Sequence, residues 1–162
     1  MSANFKQNLS RKPFEQMPNL QTLNLSFNNL KGSIQPDVFK GENLSNLSTI
    51  DLSYNLLTTI RNSTFSYLQK SLKYLNFSSN KLVFIEDMAF DGLENSLIYL
   101  NLDSNRLEFV KKHFFQPLFS LQILMLRSNQ MSSIELGSFS NLSKLEMVDL
   151  SDNCLFNIHQ NL

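Results

Sequence analysis

Few side chains in the chain have the chemistry of a catalytic or metal-binding group. Its 162 residues include one cysteine, Cys154, and two histidines, His113 and His159, far apart in sequence. A single cysteine excludes an internal disulfide and a zinc site built from thiolates, and separated histidines offer little for acid–base chemistry. Serine is abundant, but no nucleophile elbow, phosphate loop, zinc motif or paired-carboxylate pattern occurs. We therefore expect no enzymatic activity, no cofactor and no metal.

The charged residues balance. The 14 basic and 14 acidic side chains give a formal net charge of zero, which predicts no nucleic-acid partner and no attraction to anionic membranes. The short basic run Lys111, Lys112 and His113 is interpreted as a solvated face. Cys154 is expected to be a partly buried thiol, because no neighbour in sequence stabilises a thiolate. The longest apolar segment is too short to span a bilayer, and the first ten residues do not form a signal peptide.

Asparagine offers a different chemistry, the attachment of glycans. Sequons of the form N-x-S/T occur seven times, whereas the composition gives roughly three by chance. They start at Asn8, Asn24, Asn43, Asn46, Asn62, Asn76 and Asn141. The small excess favours an exported glycoprotein. We expect the acceptors at Asn62, Asn43 and Asn141, with Asn62 in a connecting segment as the best of them.

The elements that position these residues follow from an internal repeat. Six segments of the form LxxLxLxxNxL, with other apolar residues at some leucine positions, align without gaps. They begin at Leu20, Leu47, Leu72, Leu97, Leu121 and Leu145. Their asparagines are Asn28, Asn55, Asn80, Asn105, Asn129 and Asn153. Successive asparagines are separated by 27, 25, 25, 24 and 24 residues.

A second pattern follows each asparagine. An aliphatic residue lies five positions on, or six in the first unit, and a phenylalanine lies ten positions on, or eleven in the first unit. The phenylalanines are Phe39, Phe65, Phe90, Phe115 and Phe139. A leucine follows three residues later, except in the first unit, where Glu42 holds that place and Leu44 is the nearest substitute.

The combined pattern, LxxLxLxxNxLxxLxxxxFxxLxx, resembles the typical 24-residue leucine-rich repeat of extracellular proteins such as Toll-like receptors and chaoptin. The resemblance covers nearly the whole chain and implies an α/β repeat solenoid. This is an arc with short parallel strands on its concave face and loops or short helical turns on its convex side. The L-x-L alternation agrees, because it is typical of a strand with one buried face, and stacked repeats bury leucines that a single repeat cannot.

The register predicts how the chain is divided. Six repeats occupy residues 20–162, and the last of them is incomplete. Their ranges are 20–46, 47–71, 72–96, 97–120, 121–144 and 145–162, and residues 1–19 are the remnant of a preceding repeat. Neither end carries the cysteine-rich cap of extracellular family members. Since terminal repeats need caps, we expect a fragment of a longer protein; the alternative is a cytosolic solenoid that tolerates frayed ends.

The repeated asparagines form one column along the stack and the repeated phenylalanines form another, and both columns are expected to have structural roles. The asparagine side chains would lie at the turn after each strand, where an amide can bond main-chain groups that lack partners. The phenylalanines would stack as a spine beneath the convex wall. Neither column is expected to bind a ligand.

The residues that flank the L-x-L core should face outward on the concave sheet. Repeats one and two present small polar groups there, whereas repeats three to six present aromatic and aliphatic ones. The predicted partner-binding residues are Tyr74, Tyr99, Ile123, Met125, Arg127 and Met147, with Arg127 on the charged rim. Glycans on Asn24 and Asn76 would direct binding towards repeats four to six. The alternative is that these tyrosines and methionines only pack across strands.

These features predict a non-enzymatic protein-binding module from an extracellular receptor or cell-adhesion ectodomain, located outside the cell or at its surface. The expected partner is a protein ligand or an adhesion partner, including another copy of the chain, and membrane attachment would need segments that this chain lacks. Two alternatives stay open. One is an intracellular leucine-rich repeat scaffold or regulatory subunit, and the other is the recognition arm of an enzyme whose catalytic domain lies elsewhere.

Overall fold

Parallel strands, one from each repeat, form the main sheet. The computed structural model describes residues 13–14, 16–40 and 44–156. Six strands lie side by side in chain order. They are β1 (Thr22–Asn24), β3 (Thr49–Asp51), β5 (Tyr74–Asn76), β7 (Tyr99–Asn101), β9 (Ile123–Met125) and β11 (Met147–Asp149). All neighbouring pairs are parallel and in register, so each repeat stacks directly on the previous one.

The L-x-L alternation places one side of this sheet in the core. The central residue of each strand is apolar and pairs with the central residue of the next strand. From Leu23 to Leu124 these central side chains are buried, whereas Val148 in β11 is 38% exposed. The flanking residues are exposed or half-buried. The strands therefore bury one face, as the sequence pattern predicts.

A second set of short strands follows the asparagine turns. One parallel sheet contains β2 (Lys31–Ser33), β4 (Leu56–Ile60) and β6 (Phe84–Ile85), and another contains β8 (Phe109–Val110) and β10 (Ser133–Ile134). The sequence did not predict these strands, because most of them are too short for an alternating pattern to show.

Within the described residues, helical structure is confined to short turns on the other side of the stack. The chain forms 3-10 turns at Pro36–Phe39 and Ser66–Leu68, and the short helix α1 at Lys112–Phe115. Nowhere in the ranges that the structure describes is a helix long and apolar enough to cross a membrane. The predicted solenoid of short parallel strands and short helical turns is confirmed.

The phenylalanines form a continuous stack through the repeats. Five successive ring pairs have centroids 5.7 to 6.4 Å apart and planes within 26° of each other. The stack runs through Phe14, Phe39, Phe65, Phe90, Phe115 and Phe139. Offset stacking of this kind adds to the energy that burial of the rings provides.

The repeat asparagines tie each repeat to the one before it. The Asn105 amide donates to the carbonyl oxygens of Leu102 and Asp103 in its own turn and of Phe77 in the preceding repeat. Its Oδ1 accepts a hydrogen bond from the Leu82 N–H. The same four contacts recur at Asn55, Asn80, Asn129 and Asn153. Each amide therefore satisfies main-chain groups at a junction between strand and turn.

Cys154 is exposed, so the expectation of a partly buried thiol is wrong. The residue lies between the repeat asparagine and the following Leu155, at a position whose side chain points away from the core. Lys81 and Arg106 occupy the same position in other repeats and are also exposed.

Candidate binding surface

Two rows of side chains cross the concave face of the main sheet. The first row consists of Thr22, Thr49, Tyr74, Tyr99, Ile123 and Met147, which begin their strands. The second row consists of Asn24, Asp51, Asn76, Asn101, Met125 and Asp149, which end them. Successive residues of a row are direct neighbours on adjacent strands. The structure therefore places the five predicted apolar residues on neighbouring positions of one face.

The apolar half of the first row runs from Tyr74 to Met147. Tyr74 is 47% exposed and Met147 is 48% exposed, and Tyr99 and Ile123 are half-buried between them. The Tyr74 and Tyr99 rings have centroids 6.4 Å apart, with 41° between their planes. The Nδ2 of Asn101 donates to the Tyr99 hydroxyl oxygen at 3.1 Å, which restrains that side chain. The row is thus an apolar surface held on a rigid sheet.

Met125 departs from the structural pattern of the second row. In the other five strands the Asn or Asp side chain accepts a hydrogen bond of 2.9 Å from the backbone N–H two residues later, which closes the turn. Met125 has no such acceptor, and the Arg127 N–H donates instead to Oδ1 of Asp103 at 2.7 Å. An apolar side chain therefore stands where the local turn favours Asn or Asp.

Arg127 is held beside the patch by an ion pair with Asp152. The Nη2 and Nε atoms of Arg127 both lie 2.8 Å from Oδ2 of Asp152. Hydrogen bonding to Asp152 is the main cause that raises the pKa of Arg127. Because both side chains are 56% exposed, the pair adds little stability. The effect of this ion pair is to hold the Arg127 guanidinium in one position, with its charge paired to Asp152.

Two carboxylates near Arg127 have pKa values shifted in opposite directions. Burial is the largest cause that raises the pKa of Asp103, and the charge of Asp149 adds to it. Hydrogen bonds from the side chain and backbone of Ser151 lower the pKa of Asp149. The rim of the patch is therefore a cluster of mixed charge.

Phe27 and Tyr54 form an exposed aromatic pair at the edge of the sheet that sequence reasoning missed. They are 75% and 51% exposed, and their rings stack with centroids 4.1 Å apart and 8° between planes. Both residues have a φ of 54°, in the left-handed region, which costs a side chain about 1–2 kcal/mol. The other repeats place Ser or Asp directly before the repeat asparagine. Aligning that one position would have revealed the pair.

The structure describes two of the three predicted glycan acceptors. Asn62 and Asn141 are exposed, and Asn43 lies outside the described residues. The Asn62 N–H donates to Oε2 of Glu86 at 2.9 Å, so its segment is anchored to the next repeat. The side-chain oxygens of Asn24 and Asn76 accept the turn hydrogen bonds of their own strands.

Family models of leucine-rich repeats match most of the chain. The model described as "Leucine rich repeat" matches residues 45–97 and 95–155, and the model described as "Leucine Rich repeats (2 copies)" matches residues 18–66. The chain belongs to the leucine-rich repeat family. The asparagine column of this leucine-rich repeat protein recurs in all six repeats and the phenylalanine stack in the first five, whereas the two concave rows change along the stack.

Two solved structures are similar to this leucine-rich repeat chain. One is a complex of TLR13 with ssRNA13, 28% identical in sequence, with a TM-score of 0.68; the match covers 95% of this chain and 24% of that chain. The other is the complex of Toll with Spatzle from Drosophila, 27% identical, with a TM-score of 0.79, and it covers 88% and 18% respectively. The chain thus spans less than a quarter of either protein. A search of curated proteins gives no significant match.

The fold and these similar structures support a protein-interaction module resembling Toll-type ectodomains. They give no support to the expected exclusion of nucleic acid, because one of the two structures is a complex with ssRNA. The physical reason is that a net charge of zero describes the whole chain and says nothing about charge on one local surface.

Proposed function

We propose that this leucine-rich repeat chain is a non-enzymatic protein-binding module of an extracellular receptor or cell-adhesion ectodomain. In this proposal the concave face of repeats three to six contacts a protein partner through Tyr74, Tyr99, Ile123, Met125 and Met147, with Arg127 at the rim. The similarity to Toll, whose solved structure is a complex with Spatzle, supports a protein as the partner.

The observation that carries the proposal is the position of Met125. Five of the six strands end in an Asn or Asp that closes its own turn by a hydrogen bond, and Met125 is the exception. Its neighbour in the first row, Ile123, is also aliphatic. The local turn gains no stability from an apolar side chain at position 125. Contact with a partner therefore explains Met125 better than a role in the turn does.

The chemistry of this surface favours protein over nucleic acid. Aromatic and methionine side chains supply contact area at the centre of protein interfaces, and polar groups at the edge exclude water and set specificity. Binding to nucleic acid needs free cations, whereas the Arg127 guanidinium is paired with Asp152.

Footprinting with hydroxyl radicals tests the proposal, because tyrosine and methionine are among the side chains that react fastest. A panel of secreted and cell-surface proteins, the chain itself and a single-stranded RNA serve as probes. We expect a protein to bind and to protect Tyr74, Tyr99, Met125 and Met147, while Tyr67 on the 3-10 turn Ser66–Leu68 stays reactive. Protection at Tyr67 without protection of the concave residues, or binding of RNA alone, would contradict the proposal.

The proposed extracellular location has its own test. The alternative, an intracellular scaffold or regulatory subunit, predicts an unmodified Asn62 in protein purified from its natural cells. An exported protein should lose mass at Asn62 when it is treated with peptide-N-glycosidase.

A further inference from the structure

A cleft of about 370 Å³ lies on the convex side, where three successive repeats meet. Repeat three contributes Met88, which is 55% exposed, and repeat four contributes Pro117 and Phe119, which is 44% exposed. These side chains give the cleft an apolar surface that the core does not use. Phe119 lies outside the phenylalanine stack, so its exposed ring has no role in the repeat itself.

Polar groups stand around this apolar surface. Asp87 and Asp91 lie on the side of repeat three, and His113 and Gln116 lie on the side of repeat four. The Nδ1 of His113 is hydrogen-bonded to Oε1 of Gln116 at 3.0 Å, which holds the two side chains together. An apolar surface surrounded by acceptors and donors suits a pyranose ring, whose C–H face is apolar and whose edge carries hydroxyl and acetamide groups.

Asn141 of repeat five completes the lining of the cleft. Its side chain is exposed, it starts the sequon Asn141-Leu142-Ser143, and Ser143 is exposed as well. The turn that carries it is closed by the Leu142 N–H, which donates to the Phe139 carbonyl at 3.0 Å. A sugar on Asn141 would therefore be tethered at the cleft.

We propose that the cleft holds the first N-acetylglucosamine of an N-linked glycan on Asn141, with the apolar face of the sugar on the Phe119 ring. The inference rests on the proposed export of the chain, because the glycan is attached in the secretory pathway. In that step Nδ2 of Asn141 forms a bond to C1 of the sugar, and the C1–O bond to a lipid diphosphate donor breaks. The diphosphate leaves with the electron pair, and the amide proton passes to the transferase.

The held sugar has a consequence for the binding surface. It covers the cleft where repeats three to five meet on the convex side and leaves the concave rows of the same repeats open to a partner. The glycan thus directs protein contact to the face that carries Tyr99 and Met125.

The test compares the release of two glycans from one native protein. The full chain is secreted from animal cells behind a cleavable signal, occupancy of each sequon is read by peptide mass spectrometry, and peptide-N-glycosidase is added without denaturant. We expect release from Asn141 to be about tenfold slower than from Asn62, a factor that corresponds to about 1.4 kcal/mol. Phe119→Ser should remove the difference, and Phe27→Ser should keep it. Phe27 is a matched control, because it is an exposed ring and other repeats carry serine at its position.

Three results would overturn the inference: Asn141 unmodified while Asn62 is modified, equal release from both sites, or slow release that persists in Phe119→Ser. Failure of the proposed export gives a different result. Protein from its natural cells would then carry no glycan at any sequon, although the secreted chain still shows slow release from Asn141.

Discussion

Asn105 is the residue at which the coupling between repeats can be measured. Its buried side chain makes four hydrogen bonds, at 3.0 Å to the Phe77 carbonyl, 3.0 Å to the Leu102 carbonyl, 3.1 Å to the Asp103 carbonyl and 2.9 Å from the Leu82 N–H. Two of the four partners belong to the preceding repeat. The substitution Asn105→Ala removes all four contacts and leaves the neighbouring strands unchanged.

The expected loss of stability depends on the hydrogen bonds that each partner of Asn105 keeps in the variant. The three carbonyls keep other donors, because the Phe77 oxygen accepts from Asn80, the Leu102 oxygen from Asn129 and the Asp103 oxygen from Ser79. Each of these lost contacts should cost about 0.5–1 kcal/mol, at the low end of a net hydrogen bond. The Leu82 N–H loses its acceptor while buried, which costs about 1–3 kcal/mol. The free energy of unfolding should therefore fall by about 2.5–6 kcal/mol.

Asn153→Ala is the matched control. Asn153 makes the same four kinds of contact, but its side chain is half-buried, so water can replace the lost partners. We expect a loss of about 1–2 kcal/mol at this position. Urea unfolding followed by far-UV circular dichroism measures both variants, and unchanged m-values are needed, since a repeat array can unfold in parts. A loss at Asn105 below about 1 kcal/mol, or no larger than at Asn153, would refute the reasoning.

Three further predictions test other parts of the structure. Burial raises the pKa of Asp103, so its contribution to stability is lost as the pH rises from below the ordinary value of 3.8 through the raised value. Asp103→Asn should remove that loss when the free energy of unfolding is measured against pH. The same pH dependence in the variant and the native protein would contradict the raised pKa. Gly92→Ala should cost about 2–4 kcal/mol by urea unfolding, since its Cβ would lie 2.9 Å from the Ser66 Cα at a φ of +90°. Gly32→Ala, which meets nothing within 4 Å, should cost about 1 kcal/mol, and equal losses would exclude the steric cause. Cys154 should react with a thiol reagent in the native protein nearly as fast as in urea, and slow native reaction would show that it is covered.

The sequence predicted the main strands, the asparagine column and the phenylalanine stack, all of which repeat. Asn105 and Phe90 belong to sets of residues that recur every 24 to 27 residues. Asn105 bonds main-chain groups of the preceding repeat and Phe90 stacks on Phe115 of the next one, so position in the repeat determines position in the stack. The outward rows could be assigned for the same reason, since Tyr99 and Met125 flank a buried leucine on a strand. Periodicity alone therefore predicts which residues form the candidate surface.

Apart from the second set of short strands, the features that the sequence did not predict depend on differences between repeats. Phe27 and Tyr54 meet because two consecutive repeats place an aromatic residue at a turn position that elsewhere holds Ser or Asp. The convex cleft forms because loops of different sequence from three repeats converge around Phe119 and Asn141. No periodic pattern encodes either arrangement, since each arises from contacts between residues that are not equivalent.

The affinity of a protein partner for the double variant Tyr99→Ser/Met125→Ser tests the central claim most directly. The partner is the protein that protects the concave residues in the footprinting experiment. Its dissociation constant is measured for the native chain, the double variant and Tyr67→Ser. Tyr67 is 48% exposed and lies in the 3-10 turn Ser66–Leu68, away from the concave rows. We predict at least about tenfold weaker binding of the double variant, as expected for loss of central interface residues, and unchanged binding of Tyr67→Ser. Equal affinity of the native chain and the double variant would contradict binding through the concave face.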